Sequence, residues 1–471
     1  MNQIETPAPT GPHSTNGADN SDGPAGSDHP HGNLGPAGAD GPVEPPGGGS
    51  RLLPRLLRQT PFRRYWSAQT VSLFGDQISL LALPLLAVLG TGAGPAEMGY
   101  LTAAALIPNL LFSLVAGAWI DRSTSRRRIM VIADLGRAVL LAAVPTVFLL
   151  GGLALEHLYL VAFLTGTLAV LFEVAHSTLF VSLVPRRDYV EANALLNGSR
   201  AMSFVAGPSV GGLLVQVVGA PFALLVDGLS YLVSAVFLAR IRPVEPPPAS
   251  GRGLGLGQGL RFIFRSGILR AALVGTTTLN LFNYMFAALF VLYVSTELGV
   301  SPGVLGALIG AGAFGALLGA AVTGRLVRGA GIGPTVLLSF LAFPGPLLLV
   351  PLAGGPTPVV LAMLFAAEFL SGLGVMMLDI TVGSLQTAVI PDALRARVAG
   401  AQRTINYGIR PIGALIGGGL GAALGVRPTL WIATVGALAG VLWVLPSPIR
   451  RLRDLPPQES AVRPPPAGPG R

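Results

Sequence analysis

The chain has no cysteine and no lysine. Without cysteine it can form no disulfide, thiolate metal site or cysteine nucleophile. Without lysine it has no Schiff-base amine and no Walker-type phosphate loop, so ATP is not expected as its energy source. His-Glu-x-x-His does not occur, and Gly-x-Ser-x-Gly occurs only at Gly207 to Gly211 and Gly299 to Gly303, within or beside apolar runs rather than at a strand-to-helix elbow, so an enzyme is not expected and no cofactor is implied. Charge of either sign is scarce: 11% of the 471 residues are charged and 51% are hydrophobic. Soluble proteins carry about 25% charged residues. A chain this poor in charge cannot cover a water-facing surface, so an integral membrane protein is expected.

The net charge of +9 is unevenly spread. The first 50 residues hold Glu5, Asp19, Asp22, Asp28, Asp40 and Glu44 and no arginine. They are otherwise rich in Gly, Pro, Ser and Asn, which cannot build a core, so residues 1–60 are read as a disordered cytoplasmic tail. No signal-peptide pattern opens it. His13, His29 and His31 are too loosely spaced there to predict a metal site. The arginines that follow lie between apolar runs, which points to membrane topology rather than to nucleic acid.

Twelve apolar runs lie near 65–90, 96–120, 129–151, 157–183, 193–218, 221–240, 269–295, 302–325, 332–353, 357–383, 396–424 and 428–446. Most reach the roughly 20 residues that span a bilayer as a helix. Continuous rather than alternating apolarity favours helices over a barrel. Arginines cluster in every second break; the opposite face has only Arg427, beside Glu97, Glu156 and Glu297. Basic loops stay inside, so both termini are expected in the cytoplasm of a multi-pass cell-membrane protein. Between the sixth and seventh runs, Gly259 to Arg265 reads as a short basic amphipathic helix on the inner leaflet. The expected division is a bundle over 61–242, a linker over 243–267, a second bundle over 268–447 and a tail over 448–471.

An internal repeat supports that division. A shift of 206 places Glu173 on Asp379, Pro185 on Pro391, Gly207 on Gly413, Gly211 on Gly417, Gly212 on Gly418 and Gly219 on Gly425. Two six-helix halves related along the membrane normal are one repeat architecture of transporters. The expected fold is an all-α membrane protein, with twelve transmembrane helices in two pseudo-symmetric six-helix bundles.

Particular motifs resemble the major facilitator superfamily. Gly117-x-x-x-Asp121-Arg122, followed by Arg126, Arg127 and Arg128, is similar to its signature loop between helices 2 and 3. Gly207-Pro208-Ser-Val-Gly211-Gly212 resembles the motif of its drug:proton antiporters, with Ser203 in place of the first glycine. Phe74-Gly-Asp76, Asp134-x-x-Arg137 and Pro185 to Ala194 resemble the branch of macrolide-efflux and siderophore-export proteins. The resemblance implies alternating access and export of small hydrophobic compounds against protons. It also implies a gate at Asp121, facing the start of helix 11; the arginines of that loop are equally explained as inside anchors.

Acids inside spans cost about 2.5–3.5 kcal/mol when charged and unpaired, so they must face protein or water. Four are singled out as proton-coupling candidates: Asp76 on the first run, Glu173 on the fourth, Glu368 and Asp379 on the tenth. In the family fold, helices 1, 4, 7 and 10 line the cavity. Glu173 and Asp379 are favoured as repeat mates. A static pair with Arg200, Arg403, Arg410 or His176 is the plainer alternative. Glu173-x-x-His176 lacks a second copy, since the mate of His176 is Val382, so no metal is expected. Asp134 and Arg137 read as a structural pair. Arg403 and Arg410 could neutralise cavity acids or attract an anionic substrate. Asn280, Asn283 and Tyr284 fit either core packing or substrate contact. The expected partners are the bilayer, a small-molecule substrate and protons, with no nucleic acid, for a monomeric chain.

Overall fold

A computed structural model of the protein describes residues 54–121, 125–242 and 256–456. The tail before residue 54, Arg122 and most of the linker lie outside the described residues. The described chain is helical almost throughout. Its first half holds α1 (Thr60–Thr91), α2 (Pro95–Asp121), α3 (Arg126–Leu149), α4 (Leu155–Leu183), α5 (Tyr189–Val218) and α6 (Ala220–Ala239). The linker helix α7 (Leu256–Arg265) precedes α8 (Gly267–Leu292), α9 (Pro302–Ala330), α10 (Ile332–Ala342), α11 (Leu349–Leu352), α12 (Thr357–Val389), α13 (Asp392–Leu424), α14 (Val426–Leu438) and α15 (Gly440–Val444).

Among the described residues, ten helical segments are long and apolar enough to cross a membrane. α2, with 27 residues, and the glycine- and arginine-bearing α13, with 33, complete twelve. Two spans are interrupted. The ninth breaks after α10, because Pro344 and Pro346 remove the N–H groups that would continue it, and resumes as α11. The twelfth breaks at Ala439, between α14 and α15. Outward-facing side chains such as Val139, Leu149, Val217 and Leu442 are apolar, as a lipid-facing surface requires.

The repeat is visible in the geometry. Within the first half, α1 packs on α5 and α6, α3 on α4 and α6, and α2 on α4. Gly207 and Gly211 of α5 face Gln77 and Ile78 of α1; their mates Gly413 and Gly417 of α13 face Leu281 and Met285 of α8. Each half also turns on a lone glycine, Gly219 between α5 and α6 and Gly425 between α13 and α14. Their φ values of +84° and +92° strongly disfavour any residue with a β-carbon.

The halves meet along two seams, α5 on α9 and α2 on α13. Both are backbone contacts at glycine. A β-carbon on Gly418 would stand 2.8 Å from Gly99 Cα, and one on Gly212 would stand 3.0 Å from Gly306 Cα. Small residues let helices approach this closely. Gly99 and Gly306 lie early in α2 and α9, Gly212 and Gly418 late in α5 and α13. The seams therefore sit at the end of the bundle away from the chain termini.

The linker helix packs on the second half. Gly259 lets α7 press on the Arg397–Val398 backbone of α13, and Ile263 is fully buried there, while Leu260 and Phe264 stay exposed.

Substituting valine for Gly212 or Gly418 should force the seams apart. Overpacking costs about 1–3 kcal/mol, which shifts a two-state equilibrium roughly 5–150-fold. The natural absence of cysteine makes the check direct. A reporter Ala96→Cys, beside Gly418 at the seam, should label faster with a thiol reagent in either valine variant, and an unchanged rate would contradict the seam.

Candidate functional site

Away from the seams lie two cavities. The larger, about 530 Å³, lies within the second half, between α8, α12 and α13. The smaller, about 330 Å³, lies where α13 separates from α2 and α4. Arg403 lines both. Gln386 near the end of α12 and Gln402 near the start of α13 place the larger cavity in the half of the bundle that carries the termini.

Charge and aromatic surface line this space. Asp379 is exposed into the larger cavity, and Glu173 into the smaller. Tyr407 lies between two guanidiniums, with Arg410 4.0 Å and Arg403 5.3 Å from its ring centroid. Arg410 also stands 5.0 Å from the Tyr284 ring. Such cation–π contacts hold arginine in place without consuming its hydrogen-bond donors. Asn280 donates to Asn406 Oδ1 at 3.3 Å, and Asn283 lines the same wall. The cavity thus offers two cations, two carboxylates, carboxamides and two phenol rings to a solute.

A second polar group of residues is buried wholly in the first half, between α1, α3 and α6. Arg137 donates to Asp134 and lies 4.0 Å from Asp76. Its guanidinium also sits over the Tyr231 ring at 4.1 Å and the Phe172 ring at 4.6 Å. Tyr231 donates its hydroxyl proton to Asp76 Oδ1. Ser79 and Ser230 donate to the two oxygens of Asp227, the second at 2.9 Å. Asp134 and Asp227 are fully buried, whereas 39% of the Asp76 side-chain surface is accessible.

The proton-coupling candidates therefore part company. Glu173 and Asp379 face cavities and Asp76 belongs to the buried group. Glu368 lies against Gly312 where α12 packs on α9, and lines neither cavity. His176 accepts from or donates to Tyr65 at 2.7 Å and is stacked beside Tyr65 and Phe172, a packed rather than a cavity position. Arg200 is exposed, lines neither cavity, and sits close enough to act electrostatically on His176. Among the described residues no cluster of His, Asp and Glu is placed to hold a metal ion. Gly117 and Asp121 fall in α2 with side chains outside the described ones. Arg126 is buried, and Arg127 donates to Ala239 O and Ile241 O, both at 2.8 Å, where α6 ends. Cations there complement the negative end of a helix. Gly207, Pro208, Gly211 and Gly212 form the face of α5 held between α1 and α9.

The model of the Major Facilitator Superfamily matches residues 65–413 and again 272–468. The chain belongs to the major facilitator superfamily. It is 27% identical over 403 residues to the multidrug efflux pump Tap of Mycolicibacterium fortuitum, covering 81% of this chain and 93% of the pump. To the multidrug efflux pump Tap of Mycobacterium tuberculosis it is 28% identical, covering 83% and 94%. Among solved structures it superposes on a bacterial homologue of the iron transporter ferroportin in an inward-facing state. That match has a TM-score of 0.68 at 16% identity and covers 83% of this chain and 99% of the other. The nucleoside transporter NupG gives 0.65 at 13%, covering 82% and 97%. At these identities the structures speak for the fold alone.

Asp227 is the site residue that sequence reasoning passed over. It is a lone acid in the apolar run 221–240, and the rule that singled out Asp76 applies to it equally. Ser79, Ser230 and Tyr231 carry no such signal, since their neighbours come from packing.

Arg137→Met would leave the buried Asp134 without its cation. Removing one member of a buried ion pair costs about 3–5 kcal/mol, so the unfolding midpoint in detergent should fall clearly. Glu173→Gln, in contact with cavity water, should stay within about 0.5 kcal/mol of the parent. Equal stability losses would show that the two sites are not different in kind.

Proposed function

We propose that this transporter exports small, drug-like amphipathic compounds across the cell membrane by alternating access, driven by proton antiport. The observation that carries the reading is the pairing of a sealed end with an open one. Glycine seams close one face, while the cavities with Glu173, Asp379, Arg403 and Arg410 lie towards the other. The arginine-rich face, with both termini, is assigned to the cytoplasm. The described conformation is then ready to take solute from the cytoplasmic side.

The likeness to multidrug efflux pumps over most of both chains supports export rather than uptake. The cavity chemistry fits amphipathic solutes. Leu279, Phe343, Val375 and Leu378 offer apolar surface, and the acids and carboxamides fix polar groups. Glu173 and Asp379 act here as substrate-facing carboxylates. The membrane potential supplies about 2.3 kcal/mol per charge per 100 mV, enough to drive uphill release when a proton enters in exchange. The two six-helix halves move as the family resemblance implies, closing the cytoplasmic face as the glycine seams part.

An efflux panel of drugs and natural products tests the reading in cells expressing the chain. Cells should be depleted of at least one amphipathic compound, and a protonophore should abolish the depletion. Glu173→Gln and Asp379→Asn should weaken efflux on the order of tenfold, equivalent to losing one charged hydrogen bond of about 1.5–3 kcal/mol. Accumulation instead of depletion would make the protein an importer. Wild-type proteoliposomes that move no compound would remove the transport reading.

A further inference from the structure

The buried group around Arg137 has more acid than base. Asp76, Asp134 and Asp227 converge on one guanidinium from α1, α3 and α6. Arg137 already pairs with Asp134, and both are buried. If all three carboxyls were ionised, the group would hold an excess of two negative charges, with Asp134 and Asp227 cut off from water. Desolvating an unpaired carboxylate costs several kcal/mol, and such a group takes up a proton instead. A metal ion does not serve as the counter-charge, because among the described residues no set of acids is placed to hold one.

Two further observations point the same way. Arg137 Nε is buried with no hydrogen-bond partner, so even the cation of the group is not fully engaged by the three acids, while Ser234 interacts with Asp134. The repeat supplies the second. At a shift of 206, Asp76, Asp134, Arg137 and Asp227 fall on Phe282, Phe340, Phe343 and Ala433. The second half packs these positions with rings, Phe282 against Gly436 and Phe340 against Gly275. The same helix arrangement therefore holds together without any charge, so the acids of the first half are not demanded by folding.

We propose that the Asp76–Asp227 pair, with the Asp134–Arg137 ion pair as its fixed counterpart, is the proton-carrying site of this transporter. Asp76 is the accessible member and takes the proton from water, its carboxylate becoming a carboxylic acid. Tyr231 donates to Asp76 and Ser79 to Asp227, and the two carboxyls act on one another electrostatically, so a proton on Asp76 changes the charge that the sealed carboxyl faces. The groups interacting electrostatically with Asp76 are Asp134 and Arg137 on α3, Asp227 and Tyr231 on α6 and Glu173 on α4. Glu173 lines the smaller cavity, so a charged solute there acts on the pair through space. Contact carries the second link. Gly207 and Gly211 of α5 press on Gln77 and Ile78, the residues after Asp76, and Gly212 of the same helix presses on α9 across the seam. Gly75, the residue before it, has no room for a β-carbon because Asp227 and Ser230 lie against it. Movement at the seam therefore reaches Asp76 through α5.

This inference rests on the transport reading, and its test separates the two. The full-length protein in lipid nanodiscs is acidified stepwise, and the infrared C=O stretch of protonated carboxyls is followed. The wild type should gain a band that Asp76→Asn and Asp227→Asn lose and that Glu173→Gln and Asp379→Asn keep. A band kept in both cluster variants overturns the proposal, as does one lost only in the cavity variants or displaced by sodium at fixed pH. Should the asparagine variants fail to fold, Ser79→Ala and Ser230→Ala must displace the midpoint of the band, and an unmoved midpoint overturns it equally. In proteoliposomes, Asp76→Asn and Asp227→Asn should lose ethidium accumulation driven by a pH gradient while keeping ethidium counterflow. Wild-type vesicles that move no ethidium would count against the transport reading for that compound and leave the infrared result intact.

Discussion

A charge inside the hydrocarbon layer needs a partner or water, and most of this structure follows from that demand. Arginines outside the spans gather at one face, where Arg127 and Arg64 hold backbone carbonyls at the end of α6. Three arginines within the spans sit on rings or against carboxylates. Arg137 takes Tyr231, Phe172 and Asp134; Arg410 takes Tyr407 and Tyr284, and Arg403 takes Tyr407. Acids divide between cavity, buried network and, for Glu368, the contact of α12 with α9. Lipid-facing positions are left with apolar side chains such as Val, Leu and Phe. One constraint thus sets topology, cavity lining and internal pairing together.

The glycine-rich composition answers a second demand. Between helices in a membrane there is little hydrophobic driving force, so close packing must hold the halves. The repeat reuses one face of glycines twice over. Gly211 and Gly417 pack inside their own halves, while the next residues, Gly212 and Gly418, pack across the seam. A helix with small residues on two faces is held by both neighbours largely through backbone contact. Such contacts are extensive enough to close one end, and across the α5–α9 seam they are joined by the bond from Gly303 N–H to Gln216 Oε1.

Much of this was legible in the residues. The twelve apolar runs become twelve spans, because length and apolarity alone decide what crosses a bilayer. The interruptions after α10 and α14 were missed, since apolarity continues through Phe343–Pro346 and across Ala439. Glu173 and Asp379, matched by the repeat, line neighbouring cavities. Glu368 does not accompany Asp379, although the two are eleven residues apart on α12. Helical phase gives a direction, but what stands in that direction changes along the axis: a cavity at Asp379, α9 at Glu368. The grouping of Asp76, Asp134, Arg137 and Asp227 depends on three helices converging, which no spacing within one helix encodes.

That convergence bears on how solute and proton could exclude one another. Direct competition needs both to use one carboxyl, and the cavity acids could serve that way. A separate buried site requires linkage, in which each occupant changes the other's free energy by the same amount. Both links are present: Glu173 acts on Asp76 through space, and α5 touches the residues beside Asp76 on one face and α9 on another. The electrostatic link depends on solute charge. The mechanical link does not, because any solute that biases the seam shifts Gln77 and Ile78. On the proposed reading, an exporter of chemically varied compounds requires indifference to solute charge, and a proton site removed from the cavity would supply it where a shared carboxylate would favour cations.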